Sequence, residues 1–80
     1  MTTKPAKEIV AKFDTFLKQY PIADGSGSTP KIPLRSGERL SIVSIQEDGS
    51  FNNHYKVKLP SIMNGFLFWY VYKPHVEVEY

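Results

Sequence analysis

Apolar and polar residues alternate with a period of two over much of the C-terminal half of the chain. Tyr55, Val57 and Leu59 are separated by polar residues, so the segment 51–59 has one apolar and one polar side. Valine and glutamate alternate in the same way within residues 76–80. A period of two is typical of β-strands with one buried face, and we predict a strand at each segment.

Three further segments are predicted as strands from their β-branched and aromatic residues. In residues 39–46 the alternation breaks between Ile42 and Val43, which indicates a bulge or a strand shared between both faces of a bent sheet. Residues 66–72 are apolar on both sides, and residues 31–34 contain a proline, which belongs at a sheet edge. The core candidates of the first of these strands are Leu40, Ile42, Val43 and Ile45.

Turn-forming residues separate these strands. Asp48-Gly49 suits a tight hairpin turn, and residues 60–65 are predicted as a second turn in which Asn64-Gly65 suits positive φ. Residues 73–75 join the last two strands around a proline. Residues 21–30 contain two glycines and two prolines and are predicted to form a long loop. Five or six short strands with no repeat and no parallel crossover helix predict a mainly all-β fold, a small and strongly bent antiparallel barrel.

Residues 3–20 give two conflicting signals. Six apolar residues fall at helical spacing, and Pro5 suits the first turn of a helix. Residues 13–18 are also rich in β-formers and alternate as a two-faced strand would. The residues at helical spacing are Ile9, Val10, Phe13, Phe16, Leu17 and Tyr20.

Composition limits the fold and the classes of function. The 80 residues suffice for one domain with a thin core, to which large rings such as Phe13, Phe66, Phe68 and Trp69 are suited. The chain has no cysteine, which excludes disulfides and thiolate zinc sites. No apolar run is long enough for a signal peptide or a membrane span. We therefore expect a cytoplasmic protein without membrane contact, which would reach a cell wall only by another export route or as part of a larger parent protein.

His54 and His75 are the only histidines that could act as bases at neutral pH. No Gly-x-Ser-x-Gly motif accompanies them, and no spacing typical of a zinc site is present. Each is interpreted as a local hydrogen-bonding residue at the end of a strand. We expect no enzymatic activity, no metal and no cofactor.

The net charge of +2 is small for a nucleic-acid-binding protein, whose basic surface is usually more marked. Rings interleaved with lysines could nevertheless stack bases. The competing interpretation places half of these rings in the core and pairs the lysines with Glu77 and Glu79. Nucleic acid is therefore not the expected partner, and weak single-strand binding is kept as an alternative. The residues concerned are Phe51, Tyr55, Lys56, Lys58, Tyr70, Tyr72 and Lys73.

Four segments of this chain have counterparts, in the same order, in one family. They are residues 15–18, residues 31–34 with Gly37, the His-Tyr-Lys-Val-Lys-Leu of 54–59, and the Trp-Tyr-Val-Tyr-Lys-Pro-His of 69–75. They resemble the opening strand, the segment after the long first loop, the hairpin return and the closing signature of bacterial SH3-like domains. Those domains are appended to peptidoglycan hydrolases, particularly in cyanobacteria and phages. The resemblance covers residues 12–78.

The resemblance implies one SH3-like domain over residues 1–80, with a barrel over 12–80. It resolves the N-terminal conflict by making residues 12–18 a strand. Residues 1–11 are then an N-terminal extension or a short helix, with the helix limited to about residues 4–11.

The ligand groove of SH3-like barrels lies between the long first loop and the hairpin loops, which implies a groove rimmed by aromatic and amide side chains here. Such a surface suits extended peptides or sugars, so the expected partner is cell-wall glycan or peptide. The alternative is a free-standing bacterial or phage protein that binds or inhibits a protein partner, or a homodimer, through exposed aromatics. Trp69 is open to a second interpretation as a core residue. The expected site residues are Tyr20, Asp24, Phe51, Asn52, Asn53, Trp69 and Tyr72.

Overall fold

The computed structural model describes residues 2–21 and 30–80. Within these ranges the chain forms nine β-strands, two 3₁₀ helices (Gly49–Phe51 and Lys73–His75) and no α-helix. The prediction of a mainly antiparallel β fold is confirmed, although the strands are shorter and more numerous than the expected five or six. The strands are β1 (Thr2–Pro5), β2 (Glu8–Ala11), β3 (Thr15–Lys18), β4 (Lys31–Leu34), β5 (Arg39–Ser41), β6 (Ser44–Glu47), β7 (His54–Met63), β8 (Phe66–Tyr72) and β9 (Val76–Glu79).

The strands form two antiparallel sheets. The larger sheet has the order β1-β6-β7-β8-β3-β4, and the smaller has the order β5-β2-β9. The ladders of the described residues do not close into a barrel. Both sheets contribute to one apolar cluster, in which Ile9 and Val76 of the smaller sheet join Ile45, Val57 and Trp69 of the larger. The core therefore lies between the two sheets.

One bent ribbon connects the sheets. β1 pairs with β6 in the larger sheet, and β2 pairs with β5 in the smaller. At the corner the Ala6 amide donates to the carbonyl of Val43 at 3.1 Å, and the Ile42 amide donates to the carbonyl of Lys7 at 3.0 Å. The predicted strand 39–46 thus divides where its alternation breaks, and its halves belong to different sheets.

The helix predicted for residues 4–11 is wrong, because these residues form the second half of β1 and all of β2. β2 lies at the centre of the smaller sheet, between β5 and β9, and its Ile9 is fully buried. Two partner strands and β-branched residues outweigh the helical spacing of the apolar residues. The strand implied for residues 12–18 is confirmed at Thr15–Lys18, and bends occupy 12–14.

The expected core is confirmed in part. Ile42, Ile45, Val57, Leu59 and Trp69 are buried, whereas Val43 is exposed just past the corner of the ribbon. The core interpretation of three rings is also wrong: Phe13, Phe66 and Phe68 are 59%, 41% and 40% exposed. Phe66 and Phe68 are exposed because alternate residues of β8 face away from the core.

Although β7 continues to Met63 instead of ending at Leu59, the hairpin between β7 and β8 closes inside the turn predicted over residues 60–65, at Asn64-Gly65. Both residues have positive φ angles, 50° and 87°, which asparagine and glycine tolerate better than other residues. The end of this hairpin carries exposed apolar side chains, including Ile62, Met63 and Phe66.

Candidate functional site

A cavity of about 350 Å³ lies where β7 begins and β8 ends. His54, the first residue of β7, is paired in register with Tyr72, the last residue of β8. The short helix Lys73–His75 then returns the chain toward the cavity. The lining residues are Asn52, Asn53, His54, Tyr72 and His75.

A rigid turn presents the two asparagines. Asp48 caps the helix Gly49–Phe51 by accepting hydrogen bonds from the amide and the hydroxyl of Ser50, at 2.9 and 2.8 Å. These bonds lower the pKa of the Asp48 carboxyl, the backbone bond most of all. Asn52 and Asn53 follow with φ angles of 50° and 60°, a left-handed conformation that asparagine tolerates. The turn is therefore held in one shape before any ligand binds.

Asn52 also fixes the edge of the site. Its side-chain amide donates to the carbonyl of Pro21 at 3.1 Å, which ties the turn to the chain after β3. Tyr20, the neighbour of Pro21, is 56% exposed. The start of the long loop and the turn before β7 are thus held together at one side of the cavity.

His54 forms the floor of the cavity and is fully buried. Its Nδ1 lies 2.7 Å from the carbonyl oxygen of Asn52, which can only accept, so Nδ1 carries the proton. Its Nε2 then accepts from the ammonium group of Lys18, 3.0 Å away, which is itself buried on β3. The ring is therefore neutral in this arrangement and joins β3 to the start of β7.

Aromatic rings follow one another along one wall. The ring centroids of His54 and Tyr72 are 5.3 Å apart, and those of Tyr72 and His75 are 4.8 Å apart. Phe13 continues the row at 5.9 Å from His75. The Nδ1 of His75 shares a hydrogen bond of 2.9 Å with the hydroxyl of Thr15, which fixes this ring against β3.

A second, shallower depression of about 510 Å³ adjoins the cavity at Asn53. It contains an ion pair in which the Lys73 ammonium lies 3.0 Å from a carboxylate oxygen of Glu47. The same ammonium lies 5.2 Å from the ring centre of Tyr55. Burial raises the pKa of the Tyr55 hydroxyl, and the nearby charge of Glu47 adds to this effect.

The structure brings together three of the expected site residues, Asn52, Asn53 and Tyr72, at the cavity. Phe51 lies one residue outside it and packs edge-on against Tyr70. Trp69 is fully buried on the core side of β8 and donates its indole N–H to the carbonyl of Phe66 at 3.1 Å. Its side chain is therefore no part of a groove, and the core interpretation holds. Asp24 lies outside the described residues.

Sequence reasoning missed that both histidines line the same cavity. It interpreted His54 and His75 as separate residues with local hydrogen bonds at strand ends. The signal available in the sequence was their placement at the start of one strand and just after the end of the next. In an antiparallel hairpin these positions are neighbours.

Among residues 2–21 and 30–80, no group of three or more acidic residues or histidines lies close enough to hold a metal ion. Within the same ranges, no helix is long and apolar enough to cross a membrane. Comparison with family models, curated proteins and solved structures finds no match to this chain.

Proposed function

We propose that this chain is a non-catalytic binding module of the SH3-like type and that its ligand is bacterial cell-wall peptidoglycan. The ligand site is the cavity of Asn52, Asn53, His54, Tyr72 and His75. The observation that carries the proposal is the chemistry of these five lining residues, which combine amides with aromatic faces and include no carboxylate.

This lining suits a polymer of acetylated sugars and short peptides. Side-chain amides such as those of Asn52 and Asn53 can both donate to and accept from acetamido and peptide groups. The ring of Tyr72 offers an apolar face beside a hydroxyl, the combination that orients a ligand with mixed surface. A turn already held in shape reduces the conformational entropy lost on binding.

The hydrogen bonds of His54 favour binding over catalysis. Both ring nitrogens of His54 are engaged, one by a backbone carbonyl and one by Lys18. The Nδ1 of His75 is engaged by Thr15. A general base needs a nitrogen that can accept a substrate proton, and His54 offers none because both of its contacts hold parts of the chain together.

The SH3-like assignment is supported by contacts among the segments that resemble that family. The opening strand meets the closing signature through Thr15 and His75, and it meets the hairpin return through Lys18 and His54. Residues distant in the sequence therefore converge at the proposed site. The bent ribbon between the two sheets is the kind of corner that a small barrel requires.

Retention on purified peptidoglycan sacculi tests the function. We expect the unaltered protein to sediment with sacculi in salt high enough to screen surface charges. Asn53→Gly removes a lining amide but keeps the left-handed backbone accessible, and it should reduce retention several-fold. Asn64→Gly makes the same change at the β7–β8 turn and should leave retention unchanged. Absence of retention, or equal retention of both variants, would overturn the proposal.

A second candidate function rests on the exposed apolar end of the β7–β8 hairpin. Ile62 is 68% exposed, and Met63 and Phe66 lie beside it. Such a cluster favours contact with another protein, and we propose a second copy of this chain as the occupant. Sedimentation velocity should then detect a dimer whose population rises with concentration and is lost in Ile62→Lys. A monomer at all concentrations would remove this candidate.

A further inference from the structure

The larger sheet turns one face away from the core. In register, Lys56 lies opposite Tyr70 and Lys58 lies opposite Phe68, whereas Val57 lies opposite the buried Trp69. Strand alternation therefore places these lysines and rings on the side opposite the core. Phe16 of β3 belongs to the same side, because Leu17 next to it is buried. We call Phe16, Lys56, Lys58, Phe68 and Tyr70 the outer face.

The rings of the outer face are accessible. Phe16 is 46% exposed, Phe68 is 40% exposed and Tyr70 is half-buried. Phe51 supports Tyr70 edge-on at 5.3 Å between centroids, which holds that ring in place. Phe68 and Tyr70 are two residues apart on β8, so they are separated by about 6.6 Å along the strand. These rings offer flat contacts at regular intervals.

The lysines of the outer face are not neutralised by acidic neighbours. The ammonium of Lys56 lies 5.2 Å from the ring centre of Phe68 and 5.7 Å from that of Tyr70. Neither Lys56 nor Lys58 forms an ion pair with any residue in the described parts of the chain. Glu79, expected to pair with a lysine, instead binds Arg39 at 2.9 Å in the smaller sheet.

The outward positions of β6 and β3 contain no carboxylate either. On β6 they are Ser44 and Gln46, which lie opposite Lys58 and Lys56. On β3 they are Phe16 and Lys18, and Lys18 lies opposite Tyr70. Among the described residues the outer face therefore carries the charges of Lys56 and Lys58 and no carboxylate, even though the whole chain has a net charge of only +2.

We infer that the outer face binds single-stranded nucleic acid. Unpaired bases stack on exposed aromatic rings in a sequence-tolerant way, and neighbouring lysines attract the phosphates. Both parts are present here on one sheet face, and the two objections raised by the sequence do not hold. Of the four rings concerned, only Tyr55 packs against the core, and neither Glu77 nor Glu79 forms an ion pair with a lysine in the described parts of the chain. Acetylated sugars carry no phosphates to contact these lysines, and a second copy of the chain would bring the same positive charge against them.

The charge count sets the expected salt dependence. Two lysines contacting phosphates give a slope of log affinity against log salt of about −1.4 for a single strand. Removing either lysine should therefore reduce the slope by about 0.7. Replacing one stacking ring by alanine should weaken binding by about 5- to 160-fold.

Fluorescence anisotropy with a labelled oligothymidylate at several salt concentrations tests the inference. We expect Lys56→Gln and Lys58→Gln to flatten the salt dependence, and Phe68→Ala to weaken binding at every salt concentration. Lys7→Gln removes an equal charge outside the outer face, and Phe13→Ala removes an exposed ring beside the cavity. Both controls should bind as the unaltered protein does. Emission of the buried Trp69 verifies that each variant is folded.

No binding at low salt would overturn the inference. It would also be overturned if the substitutions of Lys56, Lys58 and Phe68 weaken binding no more than those of Lys7 and Phe13. Loss of sacculi retention in Lys56→Gln and Lys58→Gln, without oligonucleotide binding, would assign the outer face to the cell-wall polymer instead. Concentration-dependent self-association lost in Phe68→Ala, without oligonucleotide binding, would assign it to a second copy of the chain.

Discussion

Asp48 determines the shape of the turn that carries the two cavity asparagines. Its carboxylate accepts two hydrogen bonds from Ser50, and both favour the charged form. The pKa of Asp48 therefore lies below its ordinary value of 3.8. A lowered pKa means that folding favours the deprotonated carboxylate, so this residue links the stability of the turn to pH.

We expect the Asp48→Asn variant to be less stable than the unaltered protein at neutral pH, with a difference that shrinks in acid. The contribution of the carboxylate to the free energy of unfolding is complete above pH 3.8, the ordinary pKa. It is lost as the pH falls through the lower pKa of the folded state. Urea midpoints at pH 7 and at steps below pH 4 measure this difference. Ser50→Ala removes the hydroxyl donor but keeps the backbone donor, so this variant should retain part of the pH-dependent stabilisation by Asp48. A difference that does not change with pH would contradict the expectation.

Trp69 is the largest fully buried side chain, and its removal should be costly. We expect Trp69→Ala to lower the free energy of unfolding by about 3–5 kcal/mol and Trp69→Phe to lower it less. Phe13→Ala, at an exposed ring, should change it by about 1 kcal/mol or less. Iodide should quench the indole fluorescence far less than it quenches free tryptophan, and strong quenching in the native state would show the burial to be incorrect.

Composition could not separate Trp69 from the other rings of β8. The strand 66–72 is apolar on both sides, so its sequence leaves undecided which set of alternate residues is buried. The register with β7 decides it, because Val57 of the core lies opposite Trp69 while Lys58 lies opposite Phe68. That register depends on a hairpin turn and on contacts across the sheet, which periodicity within one strand does not contain.

At the scale of elements, the turn Asn64-Gly65 closes the β7–β8 hairpin and pairs Met63 with Phe66, and an irregularity between Lys58 and Met63 then shifts the register to that of Val57 and Trp69. Gly65 has a φ of 87°, which a residue with a Cβ adopts only under strain. Gly49 does not have a positive φ, and an added Cβ there would meet nothing within 4 Å. Substitution of the two glycines by alanine can therefore be compared. Only the substitution at Gly65 adds backbone strain, whereas both remove the conformational freedom of a glycine.

We expect Gly65→Ala to destabilise the protein by about 1–2 kcal/mol because of its left-handed backbone. Gly49→Ala should be neutral or slightly stabilising, since alanine reduces the conformational entropy of the unfolded chain. Thermal or urea unfolding of the two variants measures both effects. Equal destabilisation by the two substitutions would argue against strain at Gly65.

The strands and turns of the C-terminal half could be predicted because their local pattern and their partners agree. Residues 66–72 and the turn after Met63 follow from the β-forming residues of the strand and from turn chemistry alone. The N-terminal residues could not, because Ile9 and Val10 satisfy helical spacing and strand propensity equally well. Their state is decided by β5 and β9, which are distant in the sequence. The cavity could not be predicted for the same reason, since His54 and His75 are brought together only by strand pairing.

At the scale of the whole molecule, residues 2–11 are part of both sheets. β1 is an edge strand with every residue exposed, whereas β2 is the middle strand of the smaller sheet and supplies buried Ile9 and Ala11. Arg39 of β5 forms ion pairs with Glu8 of β2 and Glu79 of β9, across all three strands. The smaller sheet therefore depends on β2 for its backbone pairing, its packing and its ion pairs.

Two truncations test this dependence. Deletion of residues 1–5 removes only an edge strand and should leave a folded but less stable protein. Deletion of residues 1–11 also removes β2, separates β5 from β9 and exposes the core, so it should abolish cooperative unfolding. Amide dispersion in NMR spectra and urea titration distinguish the two outcomes. A folded protein after the longer deletion would contradict the central role of β2.

The pairing of β2 with β9 also has a consequence for the order of events during synthesis. A chain made from its N-terminus holds the residues of β2 early, but one of its two partners appears only when residues 76–79 have been synthesised. Until then Ile9 lies on a strand with an open edge, the kind of edge that recruits other chains. Translation adds about 5–20 residues per second, so this exposure lasts for seconds. The interval in which the nascent protein is prone to aggregate is thus set by the rate of translation, whatever the stability of the finished fold.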